Sequence, residues 1–127
     1  MKAIIKIISV FLLIFVISPQ GYAQSEVMSK FSSSIKAGNV QELIKGLADP
    51  VELSIEGQEK SLGKSEAAAA IGNFISQHPL QNFEYLHQGS SGTAEYAIAR
   101  YSSGGQNYRV MVKTKGNVIE KIEFKKE

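Results

Sequence analysis

The sequence has 127 residues, a length that fits one compact domain, and it carries 14 basic and 12 acidic side chains. It contains no cysteine, which excludes a disulfide framework, a thiol nucleophile and a cysteine-based metal site. The net charge of +2 gives no basic footprint of the kind that nucleic-acid-binding domains carry.

The start of the chain has the pattern of a secretory signal peptide. Lys2 and Lys6 give it a positive beginning, residues 7–17 are almost entirely apolar, and small residues lead up to a cleavage position after Ala23. A membrane-spanning helix needs about 20 apolar residues, and this run is shorter. We therefore expect cleavage after Ala23, export to the periplasm or the medium, and a single mature domain at 24–127.

Removal of this segment changes the charge balance. Lys2 and Lys6 leave with it, so the mature domain carries as many basic as acidic residues. No cysteine follows the apolar run, which excludes a lipid anchor of the bacterial lipoprotein type. We expect no association with nucleic acid, and none with a membrane once the signal peptide is removed.

Two short helices are predicted at the start of the domain. The first begins at or just before Ser25 and stops at Gly38. Asn39 and Glu42 form a capping pattern for the second helix, and Pro50 ends it because the residue before a proline is disfavoured in the α region. The apolar residues at helical spacing are Met28, Phe31 and Ile35 in the first helix and Val40, Leu43, Ile44 and Leu47 in the second.

A hairpin and a longer helix follow. Alternation over residues 51–55 predicts a strand, and a turn at Gly57-Gln58 leads to a short partner strand at 59–62. Ser65 is expected to cap the longer helix, which closes at His78 because Pro79 comes next. The buried side of this helix is predicted to consist of Ala67, Ala70, Ile71, Phe74 and Ile75.

Four further strands complete the prediction, at residues 83–88, 93–101, 106–113 and 118–125. The last three form a meander, and a three-stranded meander with one apolar face is not stable unless another element covers that face. We therefore expect an α+β fold in which a curved antiparallel sheet has helices packed on its concave face.

Period-two alternation assigns side chains to the two faces of these strands. Phe83, Tyr85 and His87 are predicted on one face of their strand. In the last strand Val118 is predicted on the same face as Ile122 and Phe124. In the strand at 93–101 the residues that share one face are Tyr96, Ile98 and Arg100.

The polar residues form no catalytic set that the sequence alone can identify. Residues 63–65 (Gly-Lys-Ser) match the last three positions of a phosphate-binding loop. That loop also needs a glycine at the position that Gln58 occupies. The only aspartate, Asp49, is explained by a turn before Pro50. We predict no cofactor and no metal site.

The two histidines and a pair of arginines are the remaining candidates. His78 is explained as a side chain at a helix end, whereas His87 is either a structural histidine or a general base. Arg100 and Arg109, on adjacent strands, are the best candidates to meet an anion. A solvated pair flanking the turn between those strands is the alternative.

The order of the elements resembles the nuclear transport factor 2-like superfamily, the cone-shaped fold shared with ketosteroid isomerases. Short segments resemble more closely a branch of small exported bacterial proteins known only as a domain of unknown function. A cystatin-like fold is the alternative architecture, and the two leading helices with the hairpin at 51–62 favour the cone. The segments that carry the closer resemblance lie at 37–39, 51–53, 87–91, 96–98 and 108–110.

This resemblance implies a pocket between the sheet and the long helix, and pairing of subunits through the outer sheet face. The superfamily's enzymes use a carboxylate base inside the cone, and no aspartate stands at a predicted inward position here. We therefore expect a module that binds a small apolar ligand or a partner protein. The alternatives are an isomerase or dehydratase with His87 as base, and a structural homodimer of the cell envelope. The predicted ligand-binding residues are Phe74, Tyr85, His87, Tyr96, Arg100 and Tyr108.

Overall fold

The computed structural model describes residues 25–127, and the predicted signal peptide lies outside the described residues. The described chain forms three helices and six strands. The helices are α1 (Glu26–Ala37), α2 (Val40–Lys45) and α3 (Lys64–Gln77). The strands are β1 (Leu47–Ile55), β2 (Gln58–Leu62), β3 (Asn82–Ser91), β4 (Ala94–Ser103), β5 (Gln106–Lys115) and β6 (Val118–Lys126).

The six strands form one sheet in the order β2-β1-β6-β5-β4-β3. Neighbouring strands are antiparallel, except that β1 runs parallel to β6. Leu53 of β1 lies beside Ile122 of β6, so the first hairpin joins the free side of the meander. The predicted α+β fold is confirmed, with one parallel pair inside an otherwise antiparallel sheet.

The core lies between α3 and one face of the sheet, which we call the inner face. Helix α3 buries its Ala67, Ala68, Ile71 and Phe74, and the alanines let its backbone approach the strands closely. The expectation that Ala67 and Phe74 cover the sheet is confirmed, since they are 0% and 4% exposed. The inner-face residues that are buried below the helices include Ala97, Ala99, Tyr101, Val110, Val112, Ile122 and Phe124.

The helix ends follow the expected capping chemistry at three positions. The Ser25 hydroxyl accepts a hydrogen bond from the Met28 N–H at 3.3 Å. Gly38 ends α1 with φ +64°, a conformation that a glycine adopts without steric cost. Asn39 Oδ1 accepts from the Glu42 N–H at 3.2 Å and so fixes the start of α2.

Two predicted helix boundaries are wrong. Helix α2 ends at Lys45, and Leu47 begins β1 because it pairs with Ile119 of β6. Strand pairing thus overrides the helical spacing that had placed Leu47 in the helix. Helix α3 begins at Lys64 after Gly63, which has no side chain to cap it, so Ser65 is not the cap.

Two single-residue bulges change which side chains face the core. In β3, Tyr85 lies opposite Ala99 and His87 lies opposite Ile98, so one residue is inserted between them. The bulge turns His87 to the face opposite the core, which we call the outer face. The prediction that His87 shares a face with Phe83 and Tyr85 is therefore wrong.

The second bulge lies in β6 at Glu120. Lys121 pairs with Lys113 and Ile119 pairs with Thr114, so one residue of β6 has no partner on β5. Ile119 is therefore buried, and Val118 is 38% exposed. The predicted placement of Val118 with the core residues of β6 is wrong for this reason.

Candidate functional site

The structure divides the six predicted site residues between the two faces of the sheet. Three lie on the core side: Phe74, Tyr85 and Tyr108. Three lie on the outer face: His87, Tyr96 and Arg100. They do not form one site, and each group has its own chemistry.

The space below the end of α3 is filled by aromatic rings. The ring of Phe74 lies 4.6 Å from that of Phe124 and 5.0 Å from that of Tyr108, measured between ring centroids. The Tyr101 ring lies 5.3 Å from Phe74 on another side. Rings at these separations are in direct contact. Phe74 therefore packs in the core, at the place where the sequence predicted the floor of a pocket.

Hydroxyl groups on the inner face hold the helices in place. Tyr101 donates to the carbonyl of His78 at the end of α3, and the Tyr108 hydroxyl lies 3.2 Å from His78 Nδ1. Tyr85 donates to the Met28 carbonyl of α1 at 2.6 Å. Sequence reasoning missed the His78 contacts. Tyr101 and Tyr108 lie opposite each other across the hairpin. That opposition could have indicated from the sequence that the two hydroxyls lie close together.

Burial keeps these tyrosines protonated. It raises the pKa of Tyr101 to about 12, with a further contribution from Tyr108 beside it. Burial also raises the pKa of Tyr108, and the Glu56 carboxylate adds to this effect. Burial raises the pKa of Tyr85 in the same way. At neutral pH all three hydroxyls are therefore protonated, and those of Tyr85 and Tyr101 donate to backbone carbonyls.

On the outer face, Tyr96 and His87 meet above Gly89. Gly89 lies directly opposite Tyr96, and the tyrosine ring occupies the space that a side chain at position 89 would need. The Tyr96 hydroxyl lies 3.4 Å from His87 Nε2. The structure thus brings together the histidine and a tyrosine, on a surface where Tyr96 is 40% exposed.

Around this pair lies an apolar area that we call the outer patch. Its members are Leu86, Tyr96, Ile98 and Met111. Ile98 lies opposite both His87 of β3 and Met111 of β5, so the patch continues across three strands. Leu86, the bulged residue of β3, is 46% exposed at the sheet edge. Exposed apolar side chains that gather on one face of a sheet are a feature of binding surfaces.

Basic side chains flank the outer patch on both sides. Arg100 of β4 lies directly opposite Arg109 of β5, as the sequence predicted for strands that are adjacent. Arg109 in turn lies opposite Lys125 of β6. On the other flank, Lys113 lies opposite Lys121.

A cleft of about 360 Å³ opens where the start of α1 and the end of α2 approach the turn between β5 and β6. Two ion pairs stand at its rim, Glu26 with Lys30 at 2.9 Å and Glu42 with Lys45 at 2.9 Å. None of the six predicted site residues lines it. Sequence reasoning missed it because its walls come from distant parts of the chain. Its apolar lining includes Val27, Phe31, Leu43 and Ile119.

Within residues 25–127, the histidines and carboxylates form no group of three or more that could hold a metal ion. None of the helices α1 to α3 has the length and apolar character needed to cross a membrane.

The fold of residues 25–127 is that of the nuclear transport factor 2-like class, to which the cystatin-like folds are related in architecture. A nuclear transport factor 2-like protein of unknown function from Cytophaga hutchinsonii superposes with a TM-score of 0.59 at 10% identity, covering 87% of this chain and 95% of that chain. A protein with a cystatin-like fold from Silicibacter pomeroyi superposes with a TM-score of 0.63 at 16% identity, covering 80% and 74%.

The sequence places the chain in a family within this class. The profile of the domain of unknown function DUF4783 matches residues 28–124, and the chain belongs to that family. A DUF4783 family protein from Bacteroides ovatus is 26% identical with a TM-score of 0.73, covering 78% of this chain and 94% of that chain. No curated protein matches the sequence. The predicted fold and the predicted family of unknown function are confirmed.

Proposed function

We propose that this domain is a non-catalytic interaction module that binds a partner protein through the outer face of β3 to β6. The observation that carries the proposal is the outer patch. Tyr96 is 40% exposed on the same face of β4 as half-buried Ile98, which lies opposite Met111, and Leu86 at the β3 bulge is 46% exposed. Burial of such a surface by a partner would stabilise the complex by the hydrophobic effect.

The packing of the interior supports this assignment. Aromatic rings fill the space below α3 where related folds could hold a ligand, and the buried hydroxyls of Tyr101 and Tyr85 are engaged with backbone carbonyls. His87 and Tyr96, which an isomerase mechanism would use, meet on the exposed side of the sheet instead. The outer face therefore presents His87, Tyr96 and the exposed apolar side chains that a partner could contact.

A photo-crosslinking experiment in the native host tests the proposal. Benzoylphenylalanine replaces Tyr96 in one strain and exposed Lys36 of α1 in a matched control strain. We expect a protein adduct from position 96 and none of the same mass from position 36. Equal adducts from both positions, or none from position 96, would contradict the proposal. An adduct at twice the mass of the domain would identify a second copy as the partner.

The cleft beside α1 favours a second candidate function, the binding of a small amphiphilic ligand. Its volume of about 360 Å³ lies within the range of small-molecule sites, and its lining combines apolar residues with ion pairs. Native mass spectrometry of the protein from its host would show a bound mass that Val27→Trp removes. Val118→Trp, at an exposed site outside the cleft, is the matched control and should retain the bound mass.

The proposal also includes export of the domain, because the signal pattern at the start of the chain is followed by a folded unit that begins with α1. Export would place the outer patch in the periplasm or the medium.

A further inference from the structure

The charges on the outer face are arranged in rows that run across the strands. Arg100, Arg109 and Lys125 occupy successive opposed positions on β4, β5 and β6, and we call them the cationic row. Like charges that face each other directly across a sheet repel, so each of these opposed pairs destabilises the isolated domain. Lys113 and Lys121 add one more opposed basic pair on the far side of the outer patch.

Carboxylates compensate only part of this charge. Arg100 has Glu127 at 3.6 Å from its Nε and Glu84 at 4.0 Å from its Nη1. Within residues 25–127, no carboxylate lies within 4.0 Å of Arg109 or Lys125. Within the described residues the cationic row thus has ion pairs at its β4 end alone, and at the other end Glu123 lies on the same face as Arg109 and Lys125 without forming an ion pair within 4.0 Å.

The second basic pair is neutralised more evenly. Lys113 has Glu120 at 3.5 Å, and Lys121 has Glu59 at 3.4 Å. Among residues 25–127, the members of the cationic row without a carboxylate within 4.0 Å are therefore Arg109 and Lys125, and Arg109 lies beside the outer patch. Met111 of the patch lies two residues along β5 from Arg109, on the same face.

We propose that the outer face binds an acidic segment of another protein, whose carboxylates contact the cationic row while an apolar side chain packs on the outer patch. This inference rests on the proposed function and names the chemistry of the partner. Arginine suits the role because its guanidinium binds a carboxylate through two parallel hydrogen bonds. The existing approach of Glu127 to Arg100 shows that a carboxylate fits at one end of the row.

The acidic residues of the same face argue for discrete carboxylates over a continuous anionic surface. Glu123 lies opposite Met111, and Glu84 and Glu127 lie beside Arg100. A membrane or a nucleic acid would also bring negative charge close to these carboxylates, which would repel it. A peptide with a few spaced carboxylates can contact the cationic row and avoid that repulsion. The balanced charge of residues 24–127 points the same way.

A second copy of this chain is a less suitable occupant. A two-fold axis that placed the cationic row on itself would bring like charges together at the centre of the interface. The acidic partner would instead remove the repulsion within the row when it binds.

Fluorescence anisotropy with a labelled peptide of ten glutamates around one central tryptophan tests the inference at low salt. The double variant Arg109→Glu with Lys125→Glu is compared with Lys36→Glu with Lys60→Glu, which makes the same change in net charge at exposed positions off the outer face. We expect at least a tenfold rise in Kd for the row variant and less than a twofold rise for the control. Equal effects of the two variants would overturn the inference.

Further measurements separate the other outcomes. Arg109→Gln with Lys125→Gln serves where the charge reversal prevents folding, and a threefold or greater rise in Kd is expected. Phosphatidylglycerol vesicles or a thymidine oligonucleotide could bind as tightly as the peptide and lose affinity in the row variant. That result would overturn the inference of an acidic protein segment and indicate an anionic surface as the partner. Row-dependent self-association in sedimentation equilibrium would overturn it in favour of a second copy.

The failure of this inference is distinguishable from failure of the proposed function. If the adduct at position 96 persists in the Arg109→Glu, Lys125→Glu background, the interaction face stands and its acidic specificity falls. If position 96 gives no adduct in the unmodified background, the interaction face itself falls.

Discussion

The ring of Tyr96 lies across Gly89, its direct neighbour on β3, in the space where a Cβ atom at position 89 would stand. The glycine leaves the backbone of an edge strand uncovered, and the aromatic ring covers it from the next strand. This contact also sets the Tyr96 hydroxyl 3.4 Å from His87 Nε2. The exposed part of the outer face beside the β3 edge therefore depends on the contact between Tyr96 and Gly89.

Gly89→Ala is expected to lower the free energy of unfolding by about 1 kcal/mol, because the new methyl group displaces the Tyr96 ring. In a Tyr96→Ala background the same change should stabilise the protein by about 0.5 kcal/mol, since alanine restricts the unfolded chain. Urea denaturation of the four proteins of this cycle measures the coupling. A coupling energy near zero would show that the ring does not depend on the glycine.

Tyr101→Phe removes the hydroxyl that donates to the His78 carbonyl at the end of α3. We expect a loss of about 1 kcal/mol in the free energy of unfolding, because the partly buried carbonyl is left without its donor. Tyr96→Phe is the matched control, since its hydroxyl lies on the exposed face. Chemical denaturation should show a change below about 0.5 kcal/mol for the control, and equal losses for both would contradict the assignment.

Stability is expected to fall in alkali. The pKa of Tyr101 is raised from 10.0 to about 12 in the folded protein, chiefly by burial. The folded state then binds the proton more tightly than the unfolded state, so the stabilisation is complete below pH 10 and is lost as the pH rises toward 12. Unfolding free energies measured between pH 8 and pH 12 should decline less steeply in Tyr101→Phe. Parallel curves for the two proteins would exclude this residue as the cause.

Lys125→Glu should stabilise the isolated domain by about 0.5 kcal/mol, because it replaces a repulsive pair with Arg109 by an attractive one. The same substitution should weaken binding of the acidic peptide. Lys36→Glu is the control for the change in net charge. Thermal unfolding at low and high salt measures the effect, which should shrink as salt screens the charges. Destabilisation by Lys125→Glu at low salt would contradict the proposed repulsion.

Processing of the chain gives a further test. Cleavage after Ala23 predicts a mature protein that begins at Gln24. Intact-mass measurement of the protein from the periplasmic and secreted fractions would show this start. A mass that retains Met1 in those fractions would contradict the predicted cleavage.

Much of the fold follows from local patterns in the sequence. Gly38 and Asn39 end and begin helices through their capping chemistry, α3 ends just before Pro79, and the alternation in β4 placed Ala97 and Arg100 on opposite faces. These features depend on neighbours within a few residues. A sequence therefore displays them directly.

The errors arise where pairing between distant strands decides the outcome. The bulge between Tyr85 and His87 has no turn residue to mark it, and it reverses the face of the histidine. Leu47 joins a strand only because Ile119 lies beside it. In the predicted site this cause separated His87 from Tyr85. Tyr96 and Arg100 are separated from Tyr108 by ordinary alternation along β4 and β5, which the sequence displays. The opposition of Arg100 and Arg109 was predictable because a short hairpin connects their strands.

The bulge in β3 also bears on the solubility of the domain. β3 is an edge strand of ten residues, and a regular edge strand of that length could pair with the edge strand of another molecule and so cause aggregation. The inserted Leu86 interrupts the regular spacing of its amide and carbonyl groups. Deletion of Leu86 would remove the bulge and make the edge strand β3 regular. The resulting protein should form fibrils more readily than the natural chain.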